Sequence, residues 1–143
     1  MIDSTARVFL LDDQRIVCEA VGFMLEGDPD IVYRYCMNPR DALSQIQDFK
    51  PTVILLDLVM PEIDGLTLLG LLRRHPATQK IPVVMLSGKD EAERKAEAFS
   101  KQANDYLVKL PDQIELLARL KYHSHAYQSY KAVDQHLEAL QEM

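Results

Sequence analysis

The 143-residue sequence holds only two cysteines, Cys18 and Cys36, with no CxxC pair or other metal-like spacing. That pattern makes them small buried apolar residues rather than ligands. No apolar run approaches the ~18 residues a membrane span requires. The opening MIDSTARV lacks the basic-then-apolar layout of a signal peptide. A basic excess is missing as well: 16 Lys and Arg face 22 Asp and Glu, a net charge of −6. Nucleic-acid binding wants a basic face, so it is not expected. His123 and His125 stand two apart, which on a helix sends them to different sides and argues against a zinc pair. No internal repeat or low-complexity stretch is present. These absences predict a cytoplasmic chain with no membrane and no nucleic-acid partner, and one domain with an appendage at most.

What is present is an alternation of two kinds of segment. Short apolar runs lie at residues 8–11, 31–36, 53–56, 83–86 and 106–108. The third and fourth show no polar alternation, as in parallel strands buried on both faces. Between them lie stretches with helical spacing. Ile16, Ala20, Phe23 and Met24 mark the first, and Ala42, Leu43 and Ile46 the second, with Pro39 at its first turn. Leu68, Leu69 and Leu72 mark the third, and Ala92, Ala96 and Phe99 the fourth. Asp90 with Glu93, and Asp112 with Glu115, read as N-caps backed by an acid three residues on. Strand–helix alternation of this kind predicts an α/β domain. Five units are too few for a closed barrel. The expected fold is a five-stranded, parallel, doubly wound (flavodoxin-like) sheet of order 2-1-3-4-5.

The last segment differs. It opens after Pro111 and contains no Gly or Pro through Met143. Unbroken, it makes a helix of roughly 45 Å, longer than a small domain needs. Ile114, Leu117 and Ala118 are expected to cover the sheet. Beyond them Ala126, Tyr130, Val133, Leu137 and Leu140 step by four, three, four and three, two heptads of an a/d seam. The expected organisation is a domain over residues 1–123 and a helical extension or coiled-coil linker over 124–143.

Polar residues collect where the strands end. The first run ends in Asp12 and Asp13, the third in Asp57, the fourth in Ser87 and the fifth in Lys109. In open α/β sheets that edge binds ligands, at the switch point of the strand order. Strands one and three are neighbours there, so the three acids converge. At about 4 Å and an effective dielectric near 20, each like-charged contact costs on the order of 4 kcal/mol. Such a cluster persists by protonating or by holding a cation, and an all-oxygen donor set suits Mg²⁺. A cation and Lys109 flanking one carboxylate make a site for a phosphoryl-like dianion, to which the Ser87 hydroxyl can donate. Asp57 is placed as the nucleophile that forms an acyl phosphate.

The stretches LLDDQ (10–14), LLDLVMPEIDG (55–65), MLSG (85–88) and DYLVK (105–109) resemble a response-regulator receiver domain over roughly residues 6–123. The resemblance implies a phosphoryl group transferred to Asp57 from a sensor histidine kinase. It implies Asp13, Asp57 and the Val59 backbone carbonyl on Mg²⁺, with Asp12 acting mainly through a metal-bound water. Lys109 would grip the phosphoryl oxygens, and Ser87 with Tyr106 would form the switch. No enzymatic activity beyond phosphotransfer and autodephosphorylation is implied. The stretch QANDYLVKLPDQIELLARLKYH, with the long helix after it, is similar to receivers that precede diguanylate cyclase domains. No GGDEF or GGEEF run is present. The output implied is a homodimer through the C-terminal helix regulating such a cyclase; the alternative is a stand-alone receiver acting as a phosphorylation-controlled adaptor.

Three positions depart from the pattern. Many receivers carry Lys-Pro after the last strand with a cis bond; here Leu110 intervenes before Pro111, and a non-proline cis bond costs ~3 kcal/mol. Gln102 stands where Gly is frequent, and Gly88 where Ala is usual. Two rival readings are weaker. A haloacid-dehalogenase-type phosphohydrolase wants an Asp two residues after the nucleophile, and position 59 is Val. A dimerising adaptor with vestigial phosphorylation does not explain the intact acid set.

Overall fold

A computed structural model describes residues 5–88 and 93–143. Five strands alternate with five helices: β1 (Ala6–Leu11), α1 (Arg15–Leu25), β2 (Ile31–Cys36), α2 (Ala42–Phe49), β3 (Val53–Asp57), α3 (Gly65–Arg74), β4 (Val83–Ser87), α4 (Lys95–Ser100), β5 (Asp105–Val108) and α5 (Gln113–Gln141). The strands form one all-parallel sheet in the order β2-β1-β3-β4-β5. Fold class and order are as the sequence predicts.

Strand periodicity divides the core in two. Phe9, Leu11, Ile54, Leu56, Val83 and Met85 face α2, α3 and α4. Val8, Leu10, Val53, Leu55, Val84 and Leu86 face α1 and α5. Both faces are covered, so β3 and β4 are buried at every residue and show no polar alternation. No helix among the described residues is long and apolar enough to cross a membrane.

Three helices bury faces other than those the spacing predicts. On α1 the buried set is Val17, Cys18, Val21 and Leu25, while Ile16 is 76% and Phe23 78% exposed. The segment RIVCEAVGFML is apolar on most of its circumference, so several stripes satisfy helical spacing and the sheet selects one. On α5 the buried residues are Leu116, Leu120 and Ser124; Ile114 is 78% exposed and Ala118 is exposed too. Asp112 fixes the phase there by accepting the Glu115 N–H at 3.1 Å, as the capping pattern predicts. On α4 Ala98 is buried, and Ala96 and Phe99 face outward; Ala92 and the expected cap Asp90 lie outside the described residues. Leu68, Leu69 and Leu72 of α3 are buried as expected, and so are Ala42 and Ile46 of α2, with Leu43 outside. Pro39 opens a short 3-10 turn ahead of α2.

The long helix is fastened at the foot of the sheet. Asp105 takes a 2.7 Å hydrogen bond from Arg119 and faces His123 Nε2 at 3.0 Å. Ser124 and Thr52 share a 2.6 Å hydroxyl contact, and Thr52 also accepts the Arg7 N–H. Gln128 donates to the Thr5 carbonyl at 2.7 Å, and Tyr127 packs on the α2–α4 core. Contact with the domain reaches Gln128; from Tyr130 onward every residue is exposed.

Cys18 and Cys36 are buried and unpaired, as expected. Burial pushes the Cys18 thiol up to about 12, with the Asp12 charge adding to it, and raises Cys36 likewise. The Lys109–Leu110 peptide is cis, and Gln102 holds a left-handed conformation at φ 74°. The Gln102 carbonyl accepts from Arg73 Nε at 3.0 Å. Arg73 also donates to the Ile81 carbonyl and to Asn104 Oδ1, each at 2.8 Å. One guanidinium thus ties α3 to the segments that precede β4 and β5. Arg73→Ala strips these acceptors of their donor and is expected to lower stability by about 2–3 kcal/mol. Urea unfolding with an unchanged m-value is the check; a loss under 0.5 kcal/mol would show that water replaces the guanidinium.

Candidate functional site

The switch point between β1 and β3 brings the predicted acids together. Leu11 pairs with Leu56, so Asp12 and Asp57 leave adjacent strands at the same level. Asp12 is wholly buried and Asp57 is 2% exposed; Asp13 is half-buried on the rim. One carboxylate oxygen from each of the three lies within 4.8 Å of the others. Lys109 follows β5, with its N–H on the Ser87 carbonyl at 2.7 Å. Its ammonium lies 2.8 Å from Asp57 Oδ1 and 3.0 Å from Asp12 Oδ2. Ser87 closes β4 beside β3, in register with Val108.

Sequence features hold each group in place. Asp12 Oδ1 accepts the Gln14 N–H at 2.9 Å, which fixes its carboxylate as α1 begins. The Leu58 N–H bonds the Leu86 carbonyl at 2.8 Å and extends the ladder one residue past Asp57. Val59 is exposed beside the cluster, its N–H 3.4 Å from Asp57 Oδ1. Tyr106 is not part of the acid cluster: it is buried in the core beneath α3 and α4.

Two contributors are not singled out by strand-end chemistry. A Cβ on Gly65 would stand 2.2 Å from the Asp57 carbonyl oxygen and 2.8 Å from Leu58 Cα. Only glycine lets α3 start this close behind Asp57; its place directly after Asp64 in MPEIDG is the available signal. Asp64 occupies the N-cap position of α3 yet makes no capping bond. It pairs instead with Arg94 through two contacts of 3.1 and 2.8 Å. That bond links the loop after β3 to the start of α4, a pairing no local spacing reveals.

The electrostatics follow from this crowding. Burial pushes Asp57 up to about 7; Lys109 pulls it down and Asp12 pushes it further up. Burial acts to lower Lys109, but contacts with Asp57 and Asp12 outweigh it and raise the ammonium above its usual range. One ammonium cannot neutralise three carboxylates. Asp57 Oδ2 and the Ser87 hydroxyl are buried with no hydrogen-bond partner among the described residues. Unsatisfied buried oxygens beside an all-carboxylate donor set fit a hard, oxygen-seeking cation such as Mg²⁺. The site can therefore hold a cation, and an oxyanion beside it, around the Asp57 carboxylate.

In sequence, residues 8–121 match the family described as response regulator receiver domain. The chain is 30% identical over 128 residues to PilG of Pseudomonas aeruginosa, covering 89% of this chain and 93% of PilG. It is 33% identical over 115 residues to RpaA of Synechocystis, a DNA-binding dual master transcriptional regulator, covering 80% of this chain and 47% of RpaA. The chain thus spans about half the length of that relative. In structure it is similar to a response regulator from Chloroflexus aurantiacus, with a TM-score of 0.77 and 31% identity. The match covers 85% of this chain and 98% of that one.

A carboxylate raised by burial weakens the fold wherever it is ionised. Asp57 therefore imposes no penalty below its unfolded range, near pH 4, and a growing one as pH rises towards about 7. Asp57→Asn is expected to stabilise the metal-free protein by about 1–3 kcal/mol at pH 8, with the gain vanishing near pH 4. Millimolar Mg²⁺ should raise the melting temperature of the parent protein and leave that of the variant unchanged. Equal melting temperatures for the two metal-free proteins at pH 8 would contradict the electrostatic account.

Proposed function

The chain belongs to the response regulator receiver domain family, and from that premise we propose that Asp57 is its phosphoacceptor. The observation that carries the reading is the buried Asp57 carboxylate, one oxygen on Lys109 and the other without a hydrogen-bond partner among the described residues. Receiver domains take their phosphoryl group from histidine kinases. An Asp57 oxygen attacks phosphorus and forms the acyl phosphate bond. The phosphorus–nitrogen bond to the donor imidazole breaks, its electron pair returns to the ring, and solvent supplies the ring proton. Asp13, Asp57 and the Val59 carbonyl would hold Mg²⁺, with Asp12 contributing through water; the cation would neutralise negative charge on the transferring group. Lys109 stays between Asp57 and Asp12 and holds positive charge against the phosphoryl oxygens. The Ser87 hydroxyl donates to one of those oxygens. Its movement biases how Tyr106 packs, a shift between two existing arrangements.

The output proposed is dimerisation through α5. Tyr130, Val133, Leu137 and Leu140 form one stripe and are 45–60% exposed. Two heptads bind weakly, since ordering and association costs offset most of the burial. Coupling of about 1–3 kcal/mol, roughly five- to 150-fold in affinity, is the usual size of such a switch. A diguanylate cyclase domain aligned by this helix is the output that the tail's resemblance supports. The similarity to PilG, nearly all of whose length is matched, supports the second reading of a stand-alone adaptor.

Acetyl phosphate with Mg²⁺ is expected to add one phosphoryl group to the parent protein and none to Asp57→Asn. Intact mass after brief incubation reads the difference, and equal labelling would remove Asp57 from its role. Sedimentation at several concentrations tests the output. Beryllofluoride should tighten the dimer five-fold or more, and Leu137→Glu should abolish self-association while leaving labelling intact. A dimer constant indifferent to Leu137→Glu would place the interface off α5.

A further inference from the structure

At the foot of the domain, away from the acid cluster, a second cavity lies where the root of the helical extension meets the sheet. Its volume is about 440 Å³, within the usual range for small-molecule sites. Ile46, Pro51 and Ile81 are buried and form an apolar floor. The half-buried ring of Tyr127 forms one wall. At the mouth stand Lys50, from the end of α2, and Lys131, from α5. The Lys131 ammonium lies 5.4 Å from the centroid of the Tyr127 ring. Burial raises the Tyr127 phenol above its usual range.

The charge pattern runs against that of the protein as a whole. The net charge is −6, yet the described residues lining this cavity include two lysines and no carboxylate. Lys50 stands in the left-handed region at φ 55°, a conformation for which glycine is the default residue. A side chain is kept there, and it delivers a cation to the rim. Its position at the negative end of α2 accounts for one of the two charges. Lys131, mid-helix on α5, has no such role.

We propose that this cavity binds a flat aromatic anion: the ring against Tyr127 and the Ile46–Ile81 floor, the oxyanion between Lys50 and Lys131. Ring–ring contact and cation–anion attraction are both needed, because neither a bare ring nor a bare inorganic anion uses the whole site. Such a ligand would touch the domain through α2, the turn into β3 and the segment before β4. It would touch the extension through Tyr127 and Lys131. It would therefore brace the root of the extension by a route that does not pass through Asp57.

The test is a nitrogen-15 amide titration of the full chain with naphthalene-2-sulfonate at fixed ionic strength, with sodium sulfate as a parallel arm. Saturable shifts confined to the amides around residues 46–52, 77–81 and 127–131 are expected, with sulfate at least ten-fold weaker. Lys50→Gln combined with Lys131→Gln should weaken naphthalene-2-sulfonate binding ten-fold or more. Both positions are exposed, so the rest of the spectrum should be unchanged. Ala77→Trp, which fills the cavity from its rim, should abolish binding and serves as the second variant. Shifts centred instead on a separate groove, lined by Leu43, Ile63, Leu68 and Leu71 between α2 and α3, would overturn the proposal. So would equal affinity for sulfate, or an affinity that survives both variants.

Discussion

One ammonium between two buried carboxylates governs the upper edge of this sheet. Lys109 Nζ is 2.8 Å from Asp57 and 3.0 Å from Asp12, and carboxylates this far from water are tolerated only beside an opposite charge. Strand order makes the meeting possible. The acids leave β1 and β3, which are neighbours, while Lys109 leaves β5, two strands from β3. Its side chain must cross the end of β4, where Ser87 and Gly88 are small. The pair still leaves the cluster negative, and that surplus is why the site favours a proton or a cation.

The two ends of the sheet are built on opposite terms. At the upper end, buried oxygens of Asp57 and Ser87 are left without hydrogen bonds among the described residues. At the lower end most polar groups are paired, Gln128 Oε1 being the exception among the described residues. Thr52 bonds Ser124 and Arg7, Asp105 bonds Arg119 and His123, and Gln128 bonds the Thr5 carbonyl. Burial alone would raise Asp105, but these bonds outweigh it and hold the carboxylate below its usual range. Unsatisfied groups at a site destabilise the fold, and satisfied networks elsewhere offset them. The helix α5 joins the two ends. It begins four residues after Lys109, is fastened at the foot, and then leaves the domain with an apolar stripe uncovered.

A helix fastened at several points along one domain moves with it as a unit. The loops flanking the site are also joined to each other, since Asp64 uses its carboxylate on Arg94 rather than on the α3 cap.

The strands, most of the helices and the run of polar residues at the strand ends are legible in the sequence alone. Uninterrupted apolar runs mark doubly covered strands, and four of the five runs lead into a polar residue of the upper edge: Asp12, Asp57, Ser87 and Lys109. These features are local, so a single chain displays them. Only the tertiary structure decided which face each helix buries. Segments such as RIVCEAVGFML are apolar around most of their circumference, and the sheet chooses Val17, Cys18, Val21 and Leu25 over Ile16 and Phe23. It also decided that Gly65 must have no side chain, that Asp64 meets Arg94, and that Asp105 meets Arg119 and His123. Those contacts join residues 8 to 30 positions apart, where neither helical nor strand periodicity carries information, so packing alone selects them.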